Sequence, residues 1–213
     1  MQKIMFNDQY GLTQAVLDGR KTMTRRAVSA CINKKACLYR QEYFDNTLDA
    51  LSVEDSLLEF SSFKPGEVVA VAQSYMDAGN DPHMLQFIYI KEPTILPFSD
   101  GLPVLGYVEA PIMYHAGWKN KMFVHPTMMP HQIRITNIKV ERLKDISDED
   151  CMKEGIVKVP QGFYSFEGWG GKTTQWYAMT PRDAFAVLIN KVSGNGTWGS
   201  NPYVYAYEFE LVK

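Results

Sequence analysis

The chain has 213 residues, of which 46 % are hydrophobic and 22 % charged, and a net charge of −2. That profile belongs to a globular protein whose core is large enough to need no disulfide or metal staples. It excludes a polycation that grips nucleic acid over its whole surface, so any such contact has to come from a local patch.

Taken in chain order, "DQYGLTQAVLD", residues 8 to 18, predicts a short helix with Asp8 as N-cap and Leu12, Ala15 and Val16 as one apolar stripe. Gly19 stands where a left-handed C-terminal cap belongs, so the helix stops there. The run that follows, "GRKTMTRR", places Arg20, Lys21, Arg25 and Arg26 around two threonines on a segment leaving a helix end. A solvated basic turn, favoured by the helix dipole, would account for the charge. A pocket for an anionic or polar ligand would account for the glycine and threonines as well.

Residues 27 to 62 read as an insertion with a helix near Val53 to Phe60. "FKPGEVVAVAQSY" predicts a turn at Pro65-Gly66 and a strand at Val68 to Val71. "MLQFIYI", 84 to 90, predicts another strand. "HQIRITNIKVERL", 131 to 143, alternates apolar and polar residues but slips by one at Thr136-Asn137, which predicts a β-bulge. "DISDEDCMKEGI", 145 to 156, carries a capping signal, Ser147 followed by Asp150, and ends at Gly155. Residues 157 to 179, containing "GFYSFEGWGGKTTQWY", read as a long aromatic loop, of the kind that is usually functional or mobile. Thr180 as N-cap with Pro181 at the first helical position predicts a helix over 180 to 192. "NPYVYAYEFELV", 201 to 212, predicts a closing strand. The whole reads as one α+β domain, residues 1 to 213, around a small barrel, with insertions near 27 to 62 and 157 to 179.

Cys31, Cys37 and Cys151 are scattered and form no CxxC pair, so free thiols in a reducing cytoplasm are expected. "MQKIMFNDQY" lacks the apolar centre of a signal peptide, and no apolar run approaches roughly 18 residues, so no membrane segment is expected. His83, His115, His125 and His131 form no HxxxH or HExxH pair; neither a metal site nor a cofactor is expected. For Trp118, Trp169, Trp176 and Trp198, packing is the default over base stacking.

"MFNDQYGLTQAVLDGRKTMTRR" resembles the opening of the ASCH domain family, relatives of the PUA fold. The family's GxKxxTxR signature is met by Gly19, Lys21, Thr24 and Arg26, and the lead-in and doubled arginine resemble larger members common in phages and prophages. "FKPGEVVAVAQSY", "MMPHQIRITNIKVERLKDISDEDCMKEGI" and "WGSNPYVYAYEFELV" resemble three further family segments in the same order. The resemblance implies a PUA-like small β-barrel with flanking helices and a cleft beside the signature. Small bacterial members are amidohydrolases that remove the acetyl group from the 4-amino nitrogen of acetylated cytidine, using a lysine, a threonine and a glutamate. These match Lys21, Thr24 and Glu154; other members are proposed to bind or cut RNA.

Amide hydrolysis needs a nucleophile, a base and a donor for the leaving amine. Thr24 offers the hydroxyl. Lys21 serves as base only if its pKa is depressed, by burial or by neighbouring arginines, and an adjacent Glu154 pushes the other way. Side chains alternate along a strand, so Lys21 and Thr24 reach one pocket only if the chain bends at Thr22-Met23. Gly19, Arg25, Arg26, Gln73 and His131 are further ligand-contact candidates. Gln73 stands where phage-type relatives carry a cleft-side glutamate and would read a nucleobase edge by hydrogen bonds, not act as an acid. His131 has a structural hydrogen bond as its default role. The expected ligand is a nucleoside or RNA; the alternatives are a non-catalytic RNA-binding module, or a prophage factor acting through a protein partner on the loop at 162 to 177. Because Lys21 follows a helix end, it is expected to be accessible.

Overall fold

The structure, a computed structural model, describes residues 1–78, 89–96, 104–111, 116–166 and 177–212, with 89–96 and 104–111 described by their backbone alone. Strand β1 is Lys3–Ile4, and α1, Leu12–Leu17, follows a 3-10 turn at Asp8–Tyr10. Next come β2 (Met23–Ala27), α2 (Ala30–Thr47), α3 (Val53–Leu58), β3 (Val68–Val71) and α4 (Tyr75–Ala78). Strands β4 (Tyr89–Leu96) and β5 (Val104–Pro111) precede β6 (Gln132–Arg142) and α5 (Asp148–Lys153). The chain closes with β7 (Ile156–Lys158), β8 (Tyr164–Phe166), α6 (Pro181–Ser193), α7 (Thr197–Ser200) and β9 (Tyr203–Leu211).

The local signals explain most of these elements. Asn7, not Asp8, caps the first turn, its side chain accepting from Gln9 N. Gly11 at φ 65° then restarts the chain as α1, and Gly19 at φ 72° turns it away afterwards. Ser147 Oγ accepts from Asp150 N at 3.1 Å and Thr180 Oγ1 from Asp183 N at 3.1 Å, so both predicted caps form. Helix α2 lies within the expected insertion; Ser29 caps it, and it buries only Ala36. Residues 157 to 166 differ from the expected loop. Ile156 pairs with Phe166 and Lys158 with Tyr164, a hairpin that a period-2 reading misses because each strand is three residues long. Residues 84–88 of the predicted "MLQFIYI" strand and 167–176 of the aromatic loop, with Trp169 and Trp176, lie outside the described residues.

The hydrogen-bonded strand order is β1-β3-β6-β9-β2, with β1 and β3 parallel and β6-β9-β2 antiparallel, beside two separate antiparallel pairs, β4-β5 and β7-β8. The protein is α+β with a mixed, open sheet. Among the described residues the order ends at β1 and β2 and does not close into the expected barrel; β1, two residues long, offers little ladder on which to close.

By its contacts the chain divides into two compact units. The first, residues 1–5 and 69–132, packs Ala70, Ala72, Tyr75, Ala78, Val124 and Met129 together with Trp118. The second, residues 6–68 and 133–212, is built on β6-β9-β2. Its register shifts between Ile135 and Asn137, the predicted bulge: Ile135 faces Phe209 and Asn137 faces Glu208, with Thr136 as the extra residue. Opposed residues share a face. One face therefore carries Ile133, Ile135, Ile138, Tyr205, Tyr207, Phe209, Thr24 and Arg26; the other carries Lys139, Glu141, Ala206, Glu208, Met23 and Arg25. On the first, Phe6 meets Phe209 at 5.7 Å, Phe63 meets Tyr207 at 5.2 Å, and Tyr205 donates its hydroxyl to Leu57 O at 2.7 Å. Among the described residues no helix is long and apolar enough to cross a membrane.

Candidate functional site

The basic run lies within the second unit and is clamped on three sides. Arg20 N and Lys21 N both donate to Ala15 O, at 2.9 and 2.8 Å, which completes the C-terminal cap around Gly19. Thr22 N donates to Lys153 O and Thr22 O accepts from Phe209 N, both at 2.9 Å, tying the loop to the end of α5 and to β9. The Lys21 side chain is thereby drawn inward. It is 2 % exposed, contrary to the expected accessible position, because the loop is roofed by the α5 terminus that sequence reading placed only by resemblance.

Glu154 is the C-cap residue of α5, with its N–H donating to Asp150 O at 2.9 Å. Gly155 follows at φ 98°, a conformation that costs a residue with a Cβ. A methyl at Gly155 would lie 3.7 Å from Lys21 Cβ and Cδ, so the glycine backs directly onto the lysine stem. The turn aims both the carbonyl and the carboxylate of Glu154 at one ammonium: Lys21 Nζ donates to Glu154 O at 2.8 Å and to Glu154 Oε2 at 2.6 Å. The Phe6 ring centroid lies 5.9 Å from the same nitrogen and 6.0 Å from Arg26 Cζ.

The second carboxylate oxygen, Glu154 Oε1, accepts from Arg25 Nη1 at 3.2 Å. Arg25 is 4 % exposed and spends its other donors inside the protein. Nε and Nη2 donate to Glu141 Oε1 at 2.9 and 2.6 Å, Nη2 to Asp150 Oδ2 at 2.7 Å, and Nη1 to Met23 Sδ at 3.1 Å. Lys139 closes the outer end, 2.9 Å from Asp150 Oδ2 and 3.1 Å from Glu141 Oε2. Lys21, Arg25 and Lys139 thus alternate with Glu154, Asp150 and Glu141, three cations against three carboxylates. Such a network is tolerated in a core only because each charge is partnered.

Burial pushes the Lys21 ammonium below its ordinary value; Glu154 opposes that shift, while Arg26 and Arg25 add to it. At Asp150 burial pushes upward, but hydrogen bonds from Lys139 and Arg25 outweigh it and hold the carboxyl below its ordinary value. Burial drives the Cys151 thiol up to about 12, so this cysteine is inert.

Of the candidates, Lys21 and Glu154 are brought together, with Arg25 on the other carboxylate oxygen and Gly19 shaping the loop. Thr24 is buried opposite Tyr207, on the sheet face away from Arg25, and among the described residues its hydroxyl forms no hydrogen bond. Arg26 is exposed on Thr24's side. Gln73 and His131 belong to the first unit, where Gln73 N donates to Met129 Sδ at 3.4 Å and His131 O accepts from Val71 N at 3.0 Å. Sequence reasoning missed Glu141, Lys139, Phe6 and the charge role of Asp150. The alternation of "NIKVER" could have placed Lys139 and Glu141 on the face of Arg25 once β9 was paired with both β6 and β2. Among the described residues no group of three or more His, Cys, Asp or Glu side chains could hold a metal ion. Compared with known proteins, the chain matches no family model, no curated protein and no solved structure.

Proposed function

We propose that this is an ASCH-like protein that takes a nucleoside or an RNA base at the Lys21–Glu154 pair and removes the acyl group from a 4-N-acetylcytidine-type base. One observation carries this reading: a fully enclosed lysine with a lowered pKa, 2.6 Å from a carboxylate. A lysine in that state gives up its proton more readily than a solvated one, which is what a general base requires. In this scheme neutral Lys21 takes a proton from an attacking water as the water oxygen bonds to the acyl carbon. Glu154 then passes a proton from Lys21 to the departing 4-amino nitrogen as the C–N bond breaks. The PUA-like barrel belongs to this proposal, as does a cytoplasmic setting, with which the exposed thiols of Cys31 and Cys37 agree.

The rival reading, an RNA-binding module that hydrolyses nothing, would need Lys21, Arg25 and Arg26 for phosphates. Lys21 and Arg25 already donate to carboxylates, which weighs against it. Action through a protein partner rests on the aromatic loop alone. Incubation with 4-N-acetylcytidine, followed by mass, should release cytidine and acetate, and Glu154→Gln should abolish the release. Intact substrate beside binding that weakens steeply with salt would establish the RNA module instead.

A further inference from the structure

The Lys21–Glu154 pair is the inner end of a line of contacts that reaches solvent at Lys139, whose side chain is 44 % exposed. We propose that Lys139 and Asp150 are positioning residues that act through Arg25, setting how Glu154 divides its carboxylate between Arg25 and Lys21 and so how firmly Lys21 holds its proton. The assignment rests on the reading of Lys21 as the working base.

Every link is a direct contact. Asp150 Oδ2 accepts from both Lys139, at 2.9 Å, and Arg25 Nη2, at 2.7 Å, so the two cations share one oxygen. Arg25 in turn donates to Glu154 Oε1, while Glu154 Oε2 accepts from Lys21. The other charged neighbours are accounted for. Lys21 is faced by Glu154 from the end of α5, by Arg25 and Arg26 from β2, and by the Phe6 ring. Arg25 is also faced by Glu141 of β6, which bonds Lys139 as well. Asp150 has Lys153 at 4.0 Å, itself paired with Glu208 of β9 at 2.7 Å. The line has no slack, because each carboxylate already serves at least two cations.

Two substitutions at the outer end should therefore act on Lys21 with opposite signs. Asp150→Asn removes a negative charge and leaves Arg25 under-compensated; Arg25 pulls harder on Glu154, and Lys21 loses its proton more easily. Lys139→Gln frees Asp150 and Glu141 to compensate Arg25 fully; Glu154 turns to Lys21, which holds its proton more firmly. Loosened packing would not produce opposite signs.

The test follows the Lys21 side-chain carbon next to Nζ by NMR in the full chain, with lysine isotopically labelled and the signal assigned by its loss in Lys21→Arg. Titration should move down by about half a pH unit in Asp150→Asn and up by about half a unit in Lys139→Gln. Shifts of the same sign, or no shift in either variant, overturn the proposal. Should Asp150→Asn fail to fold, Lys139→Gln decides alone, and an unmoved or lowered Lys21 titration rejects the assignment. Because the readout is the lysine's own proton, it fails separately from acylcytidine hydrolysis: absent turnover refutes the activity, an unmoved titration refutes the relay.

Discussion

Lys21 is held by its charge as well as by its stem, and this decides what its replacement does. Burial of the ammonium is partly offset by Glu154, so removing the lysine leaves a carboxylate 3 % exposed with Arg25 as its remaining ion partner. Breaking a buried pair on one side is costly, and Lys21→Ala should lower stability by about 3 kcal/mol in urea unfolding. A loss below about 0.5 kcal/mol, the ordinary figure for a surface position, would mean that the lysine is not enclosed. Arg25 has the opposite balance of roles: three carboxylates consume its donors, so it organises the site.

At the scale of elements, the site is a junction of the α1 exit, the α5 exit and β2. Gly155 allows that junction to close, since its φ of 98° disfavours a side chain, while a Cβ there would meet the Lys21 stem at ordinary contact distance. Gly155→Ala should cost about 1–2 kcal/mol and weaken substrate binding, whereas the same change at solvent-facing Gly66, also at positive φ, should cost stability alone. Helix α5 was legible because Ser147 and Gly155 are short-range signals, and so was the bulge, because a slip in alternation survives in a single strand. Helix α2 was not. Its residues, "ACINKKACLYRQEYFDNT", bury only Ala36 and show no clear apolar stripe, so the helix follows from the Ser29 cap and the absence of Gly and Pro. The meeting of Lys21 with Glu154 came from resemblance, since 133 residues separate them and no local pattern encodes it. The enclosure of Lys21 was missed for the same reason: burial depends on which terminus roofs the loop.

For the whole molecule, the network predicts how stability follows pH. The Asp150 carboxyl titrates below its ordinary 3.8 in the folded state, so the unfolded chain binds its proton first. Its contribution is present above that ordinary value and is lost as pH falls through the lower folded one. Unfolding free energy should therefore drop on acidification below about pH 4, and the drop should be shallower in Asp150→Asn; equal slopes in the two proteins would remove Asp150 from the account. Thiol chemistry offers a second global check. Cys31 and Cys37 are exposed while Cys151 is buried with its thiol raised to about 12, so a thiol reagent should count two groups in the native chain and three after unfolding.

The bulge in β6 also sets which changes of length the chain can inherit. Deleting Thr136 leaves Ile135 opposite Phe209 and Asn137 opposite Glu208, an uninterrupted ladder in which Lys139 and Glu141 still face Arg25. Deleting Val140 instead turns Glu141 onto the isoleucine face and strips Arg25 of a carboxylate. A lineage can shed a residue at the first point and keep the network; four positions later the same loss dismantles it.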